Sequence, residues 1–103
     1  MSEDKNNASI NRLYKLILQL GGLEECSAFF EDLCTPRELQ SLAQRLDVAL
    51  LLRQGKTYIE INEMIGASSV TISRVSRAMR NGSQGYTQML ERLVAQSRSG
   101  ETL

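Results

Sequence analysis

Gly66 stands between two short stretches of helical apolar spacing, and that junction constrains the fold of this chain more than any other feature. On its N-terminal side Ile61, Met64 and Ile65 share one face; on its C-terminal side Ile72, Val75, Ala78 and Met79 form a second stripe. A sharp turn between two helices needs a residue that tolerates positive φ, and glycine does so at least cost. Ala67 follows, then Ser68 and Ser69, either of which can cap the next helix by accepting a bond from its early amides. Residues 57–80 therefore read as a helix-turn-helix. One residue departs from the usual pattern: Asn62 stands where many such motifs carry alanine facing the second helix.

The outer face of the second helix has the chemistry of a groove reader. Ser68, Ser69, Val70, Thr71 and Ser73 lie at its N-terminal end, where short hydroxyls permit close approach to base edges and free amides can receive a phosphate. A valine or threonine methyl can meet the methyl of thymine. Between Gly66 and Gly82 the charged residues are Arg74, Arg77 and Arg80 alone, placed to take phosphates further along the helix. The expected DNA-binding residues are thus Ser68, Ser69, Val70, Thr71, Ser73, Arg74, Arg77 and Arg80.

The rest of the chain supplies a helical scaffold. Apolar residues make up 42 % of the 103, drawn mostly from Leu, Ile, Ala and Met, and there is one proline. That proline lies in Thr35-Pro36-Arg37-Glu38, which places Thr at the N-cap, Pro at the first helical position and Glu three residues in: a capping box. The helix it opens runs through Leu39, Leu42 and Leu46 to Leu52, where it is apolar on nearly every side and should be buried or lie at a subunit contact. Gly55 is placed to end it. Upstream, Ile10 to Leu20 and Leu23 to Leu33 each show helical spacing, with Ser9 as a cap and Gly21-Gly22 as the break between them. Met89, Leu90, Leu93 and Val94 mark a last short helix after a loop from Asn81 to Gly85. The expected organisation is a flexible arm over residues 1–8, a single all-α domain over residues 9–97, and a flexible tail over residues 98–103.

Composition excludes several function classes. With no histidine, no phosphate-binding glycine loop and only Cys26 and Cys34 as thiols, neither a disulfide framework nor a four-ligand zinc site can be built and an enzyme is the weakest reading, so no catalytic residue, metal or cofactor is expected. The polar N-terminus lacks a signal-peptide core, and the longest apolar run, Val48 to Leu52, is far too short for a bilayer. The chain reads as soluble and cytoplasmic. Twelve basic residues balance twelve acidic ones, so any pull on DNA must come from a local basic face. That neutrality, with the acidic segment from Glu24 to Asp32, leaves one alternative: a helical dimeric interaction module without DNA readout. Such a surface should show apolar or aromatic anchors where this chain has the arginine series.

From about Leu33 to Leu93 the sequence resembles the Trp repressor family, and within it the YerC/YecD branch. The matching pieces are Leu33-Cys34-Thr35-Pro36-Arg37-Glu38, Leu42 with Arg45, Leu51 to Gly55, and Ile65-Gly66-Ala67 running into Thr71-Ile72-Ser73-Arg74 with Ser76. The resemblance implies an intertwined helical homodimer that presents two helix-turn-helices to double-stranded DNA, acting as a repressor by occluding a promoter. It also implies a small-molecule corepressor site at Arg45 and Arg74 with Thr35 nearby, where an arginine fork can clamp a carboxylate. Val75 stands where the family's repressor has a glycine that makes room for an indole. Two extra methyl groups there argue against tryptophan as the effector.

Overall fold

The computed structural model describes the backbone of residues 2–98 and the side chains of residues 7–97. Among these residues the chain forms six helices and no strand: α1 (Ser2–Ile17), α2 (Leu23–Leu33), α3 (Pro36–Arg53), α4 (Tyr58–Ile65), α5 (Ser69–Asn81) and α6 (Gly85–Arg98). Helix α1 begins earlier than the Ser9 cap suggested, and α6 is a full 14 residues where a short helix was expected. The polar residues near the N-terminus argue against burial, not against helix, so apolar spacing alone underestimates the helix there. The expected tail lies outside the described residues from residue 99 on.

The chain packs as two units, Met1–Leu39 and Gln40–Leu103. In the first, α2 is entered through Gly22, and the carboxylate of Glu25 accepts the Gly21 amide at 2.9 Å. No residue of α2 is buried, and Leu18 and Leu23 are each 84 % exposed. The rings of Phe29 and Phe30 meet edge to face, with centroids 5.6 Å apart. At the start of α3 the capping box is complete: the Thr35 amide donates to Glu38 Oε1 at 2.8 Å, and the Glu38 amide donates to Thr35 Oγ1 at 3.1 Å.

The second unit holds the core. Val48, Ala49 and Leu51 from α3 meet Ile61 from α4, Ala67 from the following turn, Ile72 and Val75 from α5, and Leu90 from α6. Leu50, Leu52, Ile65 and Met79 pack around it, half-buried. The uniformly apolar end of α3 is thereby explained, since each large aliphatic side chain withdrawn from water contributes about 1.5–3 kcal/mol. Helix α3 ends in a Schellman motif: Lys56 donates to the Leu51 carbonyl at 3.1 Å and Gly55 to that of Leu52 at 3.0 Å, with Gly55 at φ 85°. An exposed ion pair, Arg53 Nη2 to Glu91 Oε1 at 3.0 Å, links the end of α3 to the middle of α6. Helix α5 packs against both α4 and α6, which leaves its remaining face outward.

Candidate nucleic-acid interface

Local chemistry builds both helices of the reading head. Thr57 caps α4 with a second capping box: its hydroxyl accepts the Glu60 amide at 3.1 Å, and Glu60 Oε1 accepts the Thr57 amide at 2.9 Å. Its signal in the sequence is Thr57-Tyr58-Ile59-Glu60, the same Thr-x-x-Glu spacing as at Thr35. The Thr57 amide, and then its hydroxyl, hold the Glu60 carboxyl below the usual glutamate range. Gly66 closes α4 in the left-handed region, φ 70° and ψ 14°, and donates to the Asn62 carbonyl at 2.8 Å. Ser68 caps α5: its hydroxyl accepts the Thr71 amide at 3.2 Å and also donates to Thr71 Oγ1 at 3.2 Å.

Asn62, the departure from the usual pattern, has a structural role here. Its Nδ2 donates to the carbonyl of Ala67 at 2.9 Å, fastening the end of α4 to the turn that carries α5. An alanine at this position would leave that partly buried carbonyl without this partner.

The residues expected to contact DNA sort by depth. Ser68, Ser69 and Val70 are exposed at the start of α5, and Val70 presents 77 % of its surface. Thr71 and Ser73 are half-buried, and the Thr71 hydroxyl is already engaged by Ser68. Arg74, Arg77 and Arg80 are exposed, and among the described residues none of them has an ion-pair partner. The opposite stripe of α5 goes inward as expected for Ile72 and Val75, while Ala78 and Met79 are half-buried. On α4, Ile61 is fully buried and Ile65 half-buried, but Met64 is 56 % exposed; the eight-residue helix presents too narrow a face to the core to bury all three. Between α4 and α5 runs a groove of about 290 Å³, lined by Tyr58, Ile59, Asn62, Glu63, Ser69 and Ile72.

Tyr58 is the residue whose place could not be read in advance. The Ser76 hydroxyl and then that of Ser73, with the positive charge of Arg80 and Arg77, hold its phenol below the usual tyrosine range.

The residues of the expected effector site are placed as follows. Thr35 belongs to the first unit and is committed to the α3 capping box. In the second unit, Arg45 is half-buried on α3, Arg74 is exposed, and neither forms an ion pair among the described residues. Val75 is 1 % exposed, inside the core. Ala78, one turn beyond Arg74, lines an open apolar hollow of about 460 Å³ with Leu46, Tyr86 and Met89. Among the described residues no cluster of metal-ligating side chains occurs, and no helix is long and apolar enough to cross a membrane.

Known proteins share the sequence and the helical fold. The chain is 51 % identical over 84 residues to the uncharacterized protein YerC of Bacillus subtilis (strain 168), which covers 82 % of this chain and 81 % of YerC. A candidate Trp repressor from Staphylococcus aureus, solved by crystallography, superposes with a TM-score of 0.80 at 49 % identity, over 84 % of this chain and 86 % of the other. A TrpR-like protein from Eubacterium eligens ATCC 27750 also gives 0.80, at 46 % identity over 84 % and 89 % of the two chains. The profile of the Trp repressor protein family matches residues 8–94, nearly the whole described helical array, and the chain belongs to the Trp repressor family.

Proposed function

We propose that the chain is a sequence-specific, double-stranded DNA-binding transcriptional regulator, a cytoplasmic repressor that works as an intertwined homodimer through residues 57–80. The observation that carries this reading is the outward face of α5. It combines a capped N-terminus bearing Ser68, Ser69 and Val70 with three exposed arginines that have no ion-pair partner among the described residues. Membership of the family supports the same reading. Action by occupying a promoter needs no catalytic group, so the chain is not an enzyme on this account.

The homodimer rests on apolar surface that the single chain leaves bare. Tyr14, Leu18 and Leu23 in the first unit, and Leu46 and Met89 in the second, are 46–84 % exposed. A second copy is the partner that would cover them, completing one domain over residues 9–97. Its two reading heads would then meet successive major grooves about 34 Å apart. An effector, if one acts, is a small carboxylate held by Arg45 and Arg74. Tryptophan is disfavoured, because its indole would have to displace the buried Val75 side chain.

Selection of bound duplexes from a random library at about physiological salt tests the reading, since non-specific binding is weak there. Enrichment of a two-fold symmetric site supports a dimeric reader. A folded dimer that enriches nothing, with or without cell metabolites, favours the alternative of an interaction module without readout.

A further inference from the structure

The groove between α4 and α5 holds a carboxylate that the fold does not use. Ile59 and Glu63 lie one turn apart on α4 and line this groove of about 290 Å³ together with Ser69, at the start of α5. Ile59 is 72 % exposed, and Glu63 and Ser69 are exposed as well. Among the described residues Glu63 has no ion-pair partner, and neither its carboxylate nor the Ser69 hydroxyl makes a hydrogen bond. No basic side chain lines the groove, and its one side-chain amide, Asn62 Nδ2, is committed to the Ala67 carbonyl at 2.9 Å. A carboxylate in the last turn of α4 opposes the helix dipole, so the stability of that helix does not account for it. On a surface that meets phosphates it is also repelled, unless it faces a donor. A carboxylate beside a hydroxyl offers an acceptor next to a donor. In the major groove a C·G pair presents the reverse, because the N4 amino group of cytosine donates and the neighbouring O6 of guanine accepts. An A·T pair also sets an amino group beside an oxygen, but adenine N7 flanks that amino group and repels a carboxylate. Cytosine has an apolar C5–H edge at that flank, and Ile59 is the apolar neighbour of Glu63 on α4.

We propose that Glu63 and Ser69 together read one C·G pair in each half-site. The Glu63 carboxylate accepts from cytosine N4, the Ser69 hydroxyl donates to guanine O6, and Ile59 lies against the C5–H edge of the cytosine. Helix α4 thereby joins the exposed start of α5 as a base-reading element. This inference rests on the DNA-binding reading.

The test repeats the selection from a random duplex library with the parent chain, Glu63→Ala, Glu63→Gln and Ser69→Ala, recording the melting temperature of each. The parent is expected to prefer C·G at one position of each half-site by about tenfold, the scale of one hydrogen bond to a charged group. Glu63→Ala should erase the preference at that position alone. Glu63→Gln should move it to A·T, because a glutamine amide can bond adenine N6 and N7 together. That change of preference stays readable even if Glu63→Ala folds poorly. Ser69→Ala should weaken the C·G preference by a smaller factor. Glu63 variants that select the parent's site at every position overturn the proposal. A loss of preference for any pair other than C·G overturns the cytosine assignment. A fall in melting temperature with base preference unchanged would assign Glu63 to the amides at the start of α5, and overturns the proposal equally. If the folded parent chain enriches no site at all, the DNA-binding reading itself fails and takes this inference with it.

Discussion

Gly66→Ala isolates a purely conformational cost at the turn on which the reading head depends. Gly66 sits at φ 70°, and a Cβ added there would meet nothing within 4 Å, so no neighbour resists the substitution. What opposes it is the left-handed backbone, worth about 1–2 kcal/mol for an L-residue. Loss of glycine's freedom in the unfolded chain returns roughly 0.4–1 kcal/mol. The expected net destabilisation is about 1 kcal/mol, or about 4–8 °C in Tm for a domain of this size. Gly66→Asn should cost less, because asparagine visits the left-handed region more readily. Gly82→Ala provides the contrast. Its φ of −87° is open to any residue, but the new Cβ would run into the carbonyl oxygen of Ala78, which already accepts the Gly82 amide at 2.9 Å. There the obstacle is backbone and the end of α5 must shift. Urea denaturation followed by circular dichroism, at one fixed protein concentration, gives all three midpoints. If Gly66→Asn is as damaging as Gly66→Ala, or if Gly66→Ala matches the parent, the left-handed turn is not what glycine serves at this position.

Other perturbations probe the interface and its supports. Arg77→Ala should weaken binding on all duplexes and lower the salt slope by about one; unchanged affinity and slope would remove Arg77 from the interface. Asn62→Ala strips the partner from the Ala67 carbonyl and should cost about 1–2 kcal/mol by chemical denaturation, whereas a neutral result would show that water replaces the staple freely. The two capping glutamates set an acid limb. Glu38 and Glu60 are held below their ordinary 4.5 by the amides and then the hydroxyls of Thr35 and Thr57. Because the folded values are depressed, their contribution is complete above the unfolded glutamate value and is lost as pH falls through the folded one. Stability should be flat above about pH 5 and decline below it, and the double variant Glu38→Gln, Glu60→Gln should flatten that decline. An acid limb identical to the parent's would refute the assignment.

What could be read from residues alone was local chemistry. The capping box at Thr35 and Glu38, the left-handed Gly66, the Gly55 terminator and the Ser68 cap each involve a side chain and a backbone within a few residues, so their spacing along the chain is already their geometry. The same holds for the apolar end of α3 and the inward stripe of Ile72 and Val75, since helical periodicity assigns a face before any partner is known. Depth and partnership came from the packing of α4 and α5 on the core. Ile61 and Met64 share a face by spacing, yet one is buried and the other mostly exposed, because a helix of eight residues meets the core over a narrow strip. Asn62 looked like a defect until the turn folded back and brought the Ala67 carbonyl to its amide. Tyr58 shares a groove with Ser69 and Ile72, farther along the chain, only because Ile61, Ile72 and Val75 set one helix across the other. Contacts of that kind depend on the angle between helices, which no single helix encodes and which packing of the buried side chains decides.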